Sequence, residues 1–305
     1  MASSERGSII LGSVTAICVV FFWSGWIVIS RLGVTGHLTI FDLTGLRHGI
    51  GAVVALPYII WSRAWRGLTP WRTLFLTLTA GAPYALLSYS GFIYAPAAHG
   101  GVFLNGCLPI FTTLFAWIWL GQRSRFSQMV GLVIILAGVT LVGYEGFLSS
   151  GGSMTWIGDL LFLAAIALFA LFMVANQVWS VNPGQVIFSI TIVPAVVYTP
   201  IWLLWLDSNL TSAPASEIIL QGAYQGLVPS VVGISCLNIA VRHIGPRATS
   251  ALVSSVPVVA ALAAIPVLNE LPGLPAWIGM ITVSFGILLA LGIIGFHQQV
   301  ATAGE

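Results

Sequence analysis

Four prolines inside long apolar stretches are the residues best able to shape a binding site. They are Pro83, Pro109, Pro229 and Pro257. A proline within a helix removes a backbone donor and clashes with the preceding turn, so the helix bends and a carbonyl is freed. In a bilayer, such a carbonyl is tolerated only against protein or a wet cavity. We therefore predict bends that face a central cavity; the alternative is that these are ordinary membrane-helix prolines.

Polar and aromatic side chains surround these prolines in the sequence. Tyr84 and Ser88 are four residues apart and therefore share one face of a helix. The predicted cavity-lining residues are Trp23, Tyr84, Ser88, Asn105, Phe169, Ser230, Ser254 and Ser255. Aromatic walls with a few neutral hydrogen-bonding groups suit a zwitterion with an apolar side chain. The alternative role for each serine or asparagine is a hydrogen bond between helices. Trp26 is one turn closer to the outer face than Trp23, and it can belong to an interfacial aromatic belt instead of the cavity.

Arg47 is the arginine that lies well inside an apolar stretch. A charge at such a position is a functional candidate by default. The alternative is a structural arginine that snorkels outward or caps a neighbouring helix end, where it could pair with Asp42. His48 beside it is expected to be a packing residue.

No arrangement of residues predicts catalysis or a bound metal. The cysteines Cys18, Cys107 and Cys236 all fall in apolar runs, and the histidines are scattered. The chain has no phosphate-binding glycine loop with its lysine. We therefore predict no catalytic residues, no cofactor and no metal ion.

The composition excludes most classes of soluble protein. Of 305 residues, 58% are hydrophobic and 6% are charged, and the charged residues include no lysine. A soluble domain is about 25% charged, so the solvent of this chain is expected to be a lipid bilayer. The net charge of +2 is too small for a nucleic-acid partner. The sequence leaves the oligomeric state open.

Ten apolar stretches are long enough to cross a membrane, which takes roughly 20 residues. They are residues 9–30, 41–61, 73–95, 98–121, 126–148, 156–179, 184–206, 216–241, 247–268 and 275–296. With both termini in the cytoplasm, nearly all loop arginines face inward and nearly all carboxylates face outward, as the positive-inside rule requires.

The two halves of the chain resemble each other at an offset of 148 residues. Pro109 matches Pro257, Gly131 matches Gly279 and Gly138 matches Gly286. We predict repeats over residues 1–150 and 151–305. Because each repeat holds five helices, an odd number, the second must be inverted, which is a recurring plan of secondary transporters. The predicted fold is therefore all-α and membrane-embedded, with two inverted five-helix repeats around a central cavity.

Several short segments resemble a known family in their order and spacing. They are Phe22–Gly25, Arg47, Pro109, Pro257 and the turn Leu268–Glu270 followed by Gly279 and Gly286. Each half is similar to an EamA-type unit of the drug/metabolite transporter (DMT) superfamily, although Gln122 stands where the unit often has Glu. The whole chain most resembles the YddG-type exporters of aromatic amino acids. The resemblance implies a ten-helix transporter of the bacterial inner membrane whose cavity is lined mainly by helices one, three, four, six, eight and nine.

These observations predict a secondary transporter that exports amino acids, with aromatic or hydrophobic ones preferred, and similar small amphipathic metabolites. The leading alternative is an exchanger of nucleotide sugars or other metabolites, which the lack of clustered buried cations disfavours. The alternative outside the transporters is an integral-membrane enzyme. No carboxylate falls in the middle of a predicted span, which argues against obligatory proton antiport through one.

Overall fold

The computed structural model describes residues 2–149, 154–228 and 232–293. Within these ranges the chain is helical and contains no β-strand. The α-helices are α1 (Ala2–Thr35), α2 (Ile40–Ser62), α3 (Pro70–Ala80), α4 (Ala82–Tyr94), α5 (Ala97–Gly100), α6 (Leu108–Leu120), α7 (Phe126–Ser149), α8 (Thr155–Trp179), α9 (Pro183–Ile187), α10 (Val193–Trp205), α11 (Ala215–Leu227), α12 (Gly233–Val253), α13 (Val256–Leu268) and α14 (Leu274–Ala290). Two π-helical segments, Gly101–Gly106 and Phe188–Ile192, continue α5 and α9.

Seven of the described helical stretches are long and apolar enough to cross a membrane. They are Gly7–Thr35, Ile40–Ser62, Ala97–Leu120, Phe126–Gly146, Thr155–Trp179, Pro183–Trp205 and Ala248–Leu268. Leu274–Ala290 is a shorter apolar helix. These findings confirm the all-helical membrane class. The count of ten spans stays a prediction, because the stretches predicted at 73–95 and 216–241 are each divided between shorter helices.

Three of the four prolines lie at the starts of helical segments. Pro83 follows a clear backbone break, whereas Pro109 and Pro257 lie within the longer helical stretches Ala97–Leu120 and Ala248–Leu268. Pro83, Pro109 and Pro257 each occupy the first turn of α4, α6 and α13. A first-turn N–H has no partner within the helix, so proline loses nothing there. The break before α4 is the sharpest, with Gly81 at φ −91° and ψ −136°. Pro229, and with it Ser230, lies outside the described residues.

Helices from the two halves of the chain pack against each other throughout the bundle. α1 packs on α12 and α13, α2 on α10 and α11, and α7 on α14. Within the first half and across its boundary, α4 and α6 pack on α8. One large buried cluster, which runs from Val20 to Ile287, joins most of these helices. The two halves therefore share their main core.

Six carboxylates lie at one end of the bundle, which we call the acidic end. They are Asp42, Glu145, Asp159, Asp207, Glu217 and Glu270. Several of them tie loops together by accepting backbone N–H groups. Asp42 accepts from Asn209, Glu217 from His37 and Glu145 from Gly273, at distances of 2.8–3.0 Å. Hydrogen bonds between loops of both halves thus tie the acidic end together.

An ion pair also ties helices together at the acidic end. The Nε of Arg31 donates to Glu270 Oε1 at 2.7 Å, and the second Glu270 oxygen accepts the backbone N–H of Ala97 at 2.8 Å. The Arg31 guanidinium also donates to the carbonyl of Phe92. These contacts join the ends of α1, α4 and α13 to the start of α5.

Arginines define the opposite, basic end. They lie on the α2–α3 and α6–α7 connections and at the start of α3, and they are Arg63, Arg66, Arg72, Arg123 and Arg125. Arg72 lies over the ring of Trp179 at 5.5 Å. Charges of opposite sign at the two ends are the pattern on which the predicted orientation depends.

Candidate functional site

Aromatic side chains from three helices meet inside the bundle. Trp26 of α1 stacks on Tyr84 of α4, with ring centroids 6.5 Å apart and planes 14° from parallel. Tyr84 in turn contacts Phe169 of α8, at 5.2 Å between centroids. Trp26 and Tyr84 are only 8% and 9% exposed. We call these three residues the aromatic cluster. Of the residues predicted from sequence, the structure brings Tyr84 and Phe169 into contact here.

Arg47 of α2 lies directly beside the aromatic cluster. Its guanidinium carbon is 5.6 Å from the centroid of the Trp26 ring, a cation–π geometry. Tyr84 and Tyr89 are its other aromatic neighbours. Arg47 is therefore a fourth component of the site, contributed by a fourth helix.

The predicted alternative that Arg47 pairs with Asp42 is wrong. Asp42 uses its oxygens on Thr39, Asn209, Ser208 and Trp202 instead. Asp42 lies at the start of α2, whereas Arg47 is more than one turn further along the helix. Among the residues the structure describes, the Nη1 of Arg47 is buried and has no hydrogen-bond acceptor.

A network of neutral polar groups forms another wall next to the site. The Tyr89 hydroxyl donates to Gln225 Oε1 at 3.0 Å, and Gln225 Nε2 donates to Ser30 Oγ and to Gln221 Oε1 at 3.1 Å each. Gln221 Nε2 donates to the carbonyl of Ile29 at 2.8 Å. All four network side chains are fully buried. Because its bonds are satisfied, the network fixes α1, α4 and α11 together without calling for a ligand.

The predicted serines and the asparagine bond to their own helices. The Ser88 hydroxyl donates to the carbonyl of Tyr84 at 2.9 Å, and Asn105 Nδ2 donates to Gly101 at 3.3 Å. Ser254 and Ser255 donate to carbonyls three residues earlier, at 2.7 and 2.6 Å. Such back-bonding satisfies a hydroxyl donor within its own helix. A role in the cavity stays a prediction for these four residues.

Trp23 lies apart from the aromatic cluster, one turn along α1 and partly buried. Its Nε1 is 3.2 Å from where a Cβ of Gly233 would lie, so Trp23 faces the start of α12. The structure corrects the expectation for Trp26, which is buried in the bundle and does not belong to an interfacial belt.

Sequence reasoning missed Tyr89, Gln221 and Gln225. The signal that could have found the glutamines is their spacing, because two amides four residues apart share one face of a helix. Within an apolar stretch, that face has to meet polar partners. Nothing in the sequence pairs that face with Tyr89, which lies 136 residues away from Gln225 along the chain.

A separate cavity of about 400 Å³ opens at the acidic end. Its walls include the paired Arg31 and Glu270. His99, also on the wall, has its Nδ1 2.8 Å from Asp159 Oδ1. The charged groups on its wall already have partners, which distinguishes this cavity from the site at Arg47.

Comparison with known proteins agrees with a membrane transporter. The chain is 23% identical over 240 residues to a "Probable terminal-alkyne amino-acid exporter" of Streptantibioticus cattleyicolor, covering 74% of this chain and 75% of that protein. It is 24% identical to the "Uncharacterized transporter YwfM" of Bacillus subtilis, covering 72% and 73% of the two chains. It is 30% identical over 144 residues to human "Solute carrier family 35 member F6", which covers 41% of this chain and 38% of that one.

A solved crystal structure shares the fold. It superposes with a TM-score of 0.64 at 18% identity and covers 96% of this chain and 99% of the other. The sequence profile of the EamA-like transporter family matches twice, over residues 10–144 and 156–292. Together these matches span nearly the whole chain, so this multi-pass membrane protein belongs to the EamA-like transporter family of the DMT superfamily.

Proposed function

We propose that this transporter exports amino acids with aromatic or hydrophobic side chains, and similar small amphipathic metabolites, from the bacterial cytoplasm across the inner membrane. The observation that carries this proposal is the buried contact among Trp26, Tyr84 and Phe169 beside a single arginine. Aromatic walls give an apolar side chain a surface to pack on. The amino-acid exporter among the relatives supports the same class of cargo.

The proposed mechanism is alternating access by the two halves, residues 1–150 and 151–305. In the structure, the ion pair Arg31–Glu270 ties helices together at the acidic end, and the Tyr89–Gln225 hydrogen bond ties α4 to α11 beside the site. Opening that end requires these contacts to break, while the aromatic cluster stays available to cargo. Broken helices supply places where half-helices can move, since their backbone bonds are already interrupted.

The further cavity residues follow from this mechanism. We propose that the polar side chains near the helix breaks line the path of the cargo as the halves move. These residues are Trp23, Ser88, Asn105, Ser230, Ser254 and Ser255, beside the helix junctions at Pro83, Pro109 and Pro257 and the bend predicted at Pro229. Each offers weak and exchangeable hydrogen bonds, which suit a path better than a tight site.

Transport by the purified protein tests this proposal. Proteoliposomes are loaded with unlabelled phenylalanine, and counterflow of radiolabelled phenylalanine, leucine, alanine, aspartate, lysine and a nucleotide sugar is measured with and without a pH gradient. We expect phenylalanine and leucine to exchange fastest, because the site offers aromatic walls and one cation. Exchange of the nucleotide sugar, in sugar-loaded vesicles that show no response to amino acids, would contradict the proposal.

A further inference from the structure

Two buried donors near the aromatic cluster make no hydrogen bond of good geometry in the part of the chain that the structure describes, although the Tyr89 hydroxyl lies close to both. They are Nη1 of Arg47 and Nε1 of Trp26. The guanidinium lies over the Trp26 ring, so the two donors belong to one place in the bundle. We propose that Arg47 and Trp26 bind the carboxylate of the transported molecule. This inference deepens the proposed function, on which the identity of the cargo rests.

Among the residues that the structure describes, the Arg47 charge lacks a counter-ion. The six carboxylates whose side chains the structure describes lie at the acidic end, and Asp42, on the same helix as Arg47, accepts from other donors. Glu270 pairs with Arg31. Arginine stays protonated in proteins, so its positive charge cannot be removed by loss of a proton. A guanidinium without a counter-ion therefore persists within the bundle.

The groups next to Arg47 do not compensate its positive charge. A cation–π contact with Trp26 contributes only part of what is lost when a guanidinium leaves water. Tyr84 and Tyr89 are neutral phenols. The Tyr89 hydroxyl donates to Gln225, and its oxygen can accept from a neighbouring donor, but it carries no negative charge. A bound anion would supply the missing charge and at the same time accept the idle N–H groups.

A carboxylate is the anion that fits the Arg47 guanidinium. A planar guanidinium donates two parallel hydrogen bonds to a carboxylate, and such charge-assisted bonds are the strong ones. A larger dianion such as a phosphate ester would call for further cations, whereas the site holds one arginine. The remaining neighbour of the donors is aromatic: Tyr84 stacks on Trp26, and Phe169 follows at 5.2 Å.

The site thus has a charged head and an aromatic wall. It suits a monocarboxylate whose side chain is apolar or aromatic. In this arrangement the carboxylate carries recognition, and the ammonium group of an amino acid contributes less. Removing the carboxylate from a ligand should therefore weaken its binding more than removing the amine.

Three probes that share a phenyl ring test the assignment. They are phenylalanine, 3-phenylpropionate, which lacks the amine, and phenethylamine, which lacks the carboxylate. Each is tested as a competitor of phenylalanine counterflow and as a stabiliser of the detergent-purified protein against heating, which reports binding without transport. We expect 3-phenylpropionate to compete and stabilise at concentrations roughly 10- to 100-fold lower than phenethylamine, the factor that corresponds to hydrogen bonds with a charged partner.

Variants locate the effect at the two donors. Arg47→Gln should remove the preference for 3-phenylpropionate over phenethylamine, and Arg47→Lys should keep part of it. Trp26→Phe retains the ring but lacks the N–H, and it should reduce the preference by a smaller factor. Arg125→Gln is the matched control, because Arg125 is exposed at the basic end and its loss should leave the preference unchanged.

The outcomes distinguish this inference from the proposed function. Equal competition by 3-phenylpropionate and phenethylamine in the wild type overturns the carboxylate assignment, even if phenylalanine is exported. A preference that survives in Arg47→Gln overturns the role of Arg47. Arg47-dependent stabilisation by 3-phenylpropionate without amino-acid transport supports the site and contradicts the exporter. If Arg47→Gln does not fold, the wild-type series and Trp26→Phe decide the question.

Discussion

Gly138 and Gly279 face each other where α7 crosses α14. A Cβ placed on Gly138 would lie 2.7 Å from the Gly279 carbonyl oxygen, and a Cβ on Gly279 would lie 2.8 Å from that of Gly138. Gly131 and Gly286 repeat this relationship two turns away, at 2.8 and 2.9 Å. Because the earlier residue of α7 meets the later residue of α14, the two helices run antiparallel.

The contact has the form of a two-fold interface within one chain. The sequence offset of 148 maps Gly131 onto Gly279 and Gly138 onto Gly286. Exchanging the halves therefore turns one glycine pair into the other, as in a contact between two copies of the same surface. Equivalent helices that run antiparallel are what an inverted repeat requires. The division between residues 150 and 151 stays a prediction.

Gly138→Ala should destabilise the protein. The added methyl group would meet the backbone of α14, which cannot rotate away as a side chain can, and overpacking of this kind costs about 1–3 kcal/mol. Gly143→Ala is the matched control on the same helix, since its nearest neighbour would be Phe103 at an ordinary 3.6 Å. The measurement is the fraction of purified protein that stays monodisperse after heating in detergent.

Gly143→Ala is expected to be neutral or slightly stabilising, because alanine is the better helix former. Equal heat resistance of the two variants would show that α7 and α14 can separate at no cost, contrary to the close approach of their backbones.

Much of the fold could be predicted from the sequence because membrane helices leave strong local signals. Long apolar stretches separated by short polar loops predict a helical membrane protein. The glycines at 131 and 138 predict a close contact between helices. The prolines predict where helical segments change, and the clear backbone break is the one at Pro83. A proline has the same local preference at a bend as in a first turn, so only the tertiary structure decides between them.

The site was less predictable because its members come together only through tertiary packing. Tyr84 and Phe169 could be proposed from depth and residue type. Trp26 could not be placed, since a tryptophan one turn from the membrane surface suits either a belt or the interior. Whether Arg47 has a partner depends on how Asp42 is used, and the loop at Ser208 and Asn209 that occupies Asp42 is distant in sequence.

No single carboxylate should be indispensable for transport. Asp42→Asn, Asp159→Asn and Glu270→Gln should each retain substantial phenylalanine counterflow, because each carboxylate serves contacts at the acidic end and an amide oxygen can still accept hydrogen bonds there. The measurement compares counterflow with and without a pH gradient. If one variant lost transport while it still bound phenylalanine and folded normally, coupling through that carboxylate would be established instead.

The acidic end should face outward and the basic end the cytoplasm. Reporter fusions that are active on only one side of the membrane, placed near residue 124 and near residue 210, should give opposite signals. The physical reason is that arginine-rich short loops are retained on the cytoplasmic side. Identical signals from both positions would contradict this topology. A reversed pair of signals would place the acidic end in the cytoplasm.

Tyr84→Ala should alter the choice of cargo more than transport as a whole. Tyr84 lies between Trp26 and Phe169, so its loss opens the aromatic wall and removes stacking worth about 0.5–1.5 kcal/mol beyond area burial. Counterflow of phenylalanine should therefore fall several-fold more than counterflow of alanine or threonine. Tyr58→Ala is the control, because Tyr58 is an exposed tyrosine near the basic end and its removal should not change the ratio. An equal loss for phenylalanine and for alanine would assign Tyr84 to packing alone, since a general weakening of the bundle affects every cargo alike.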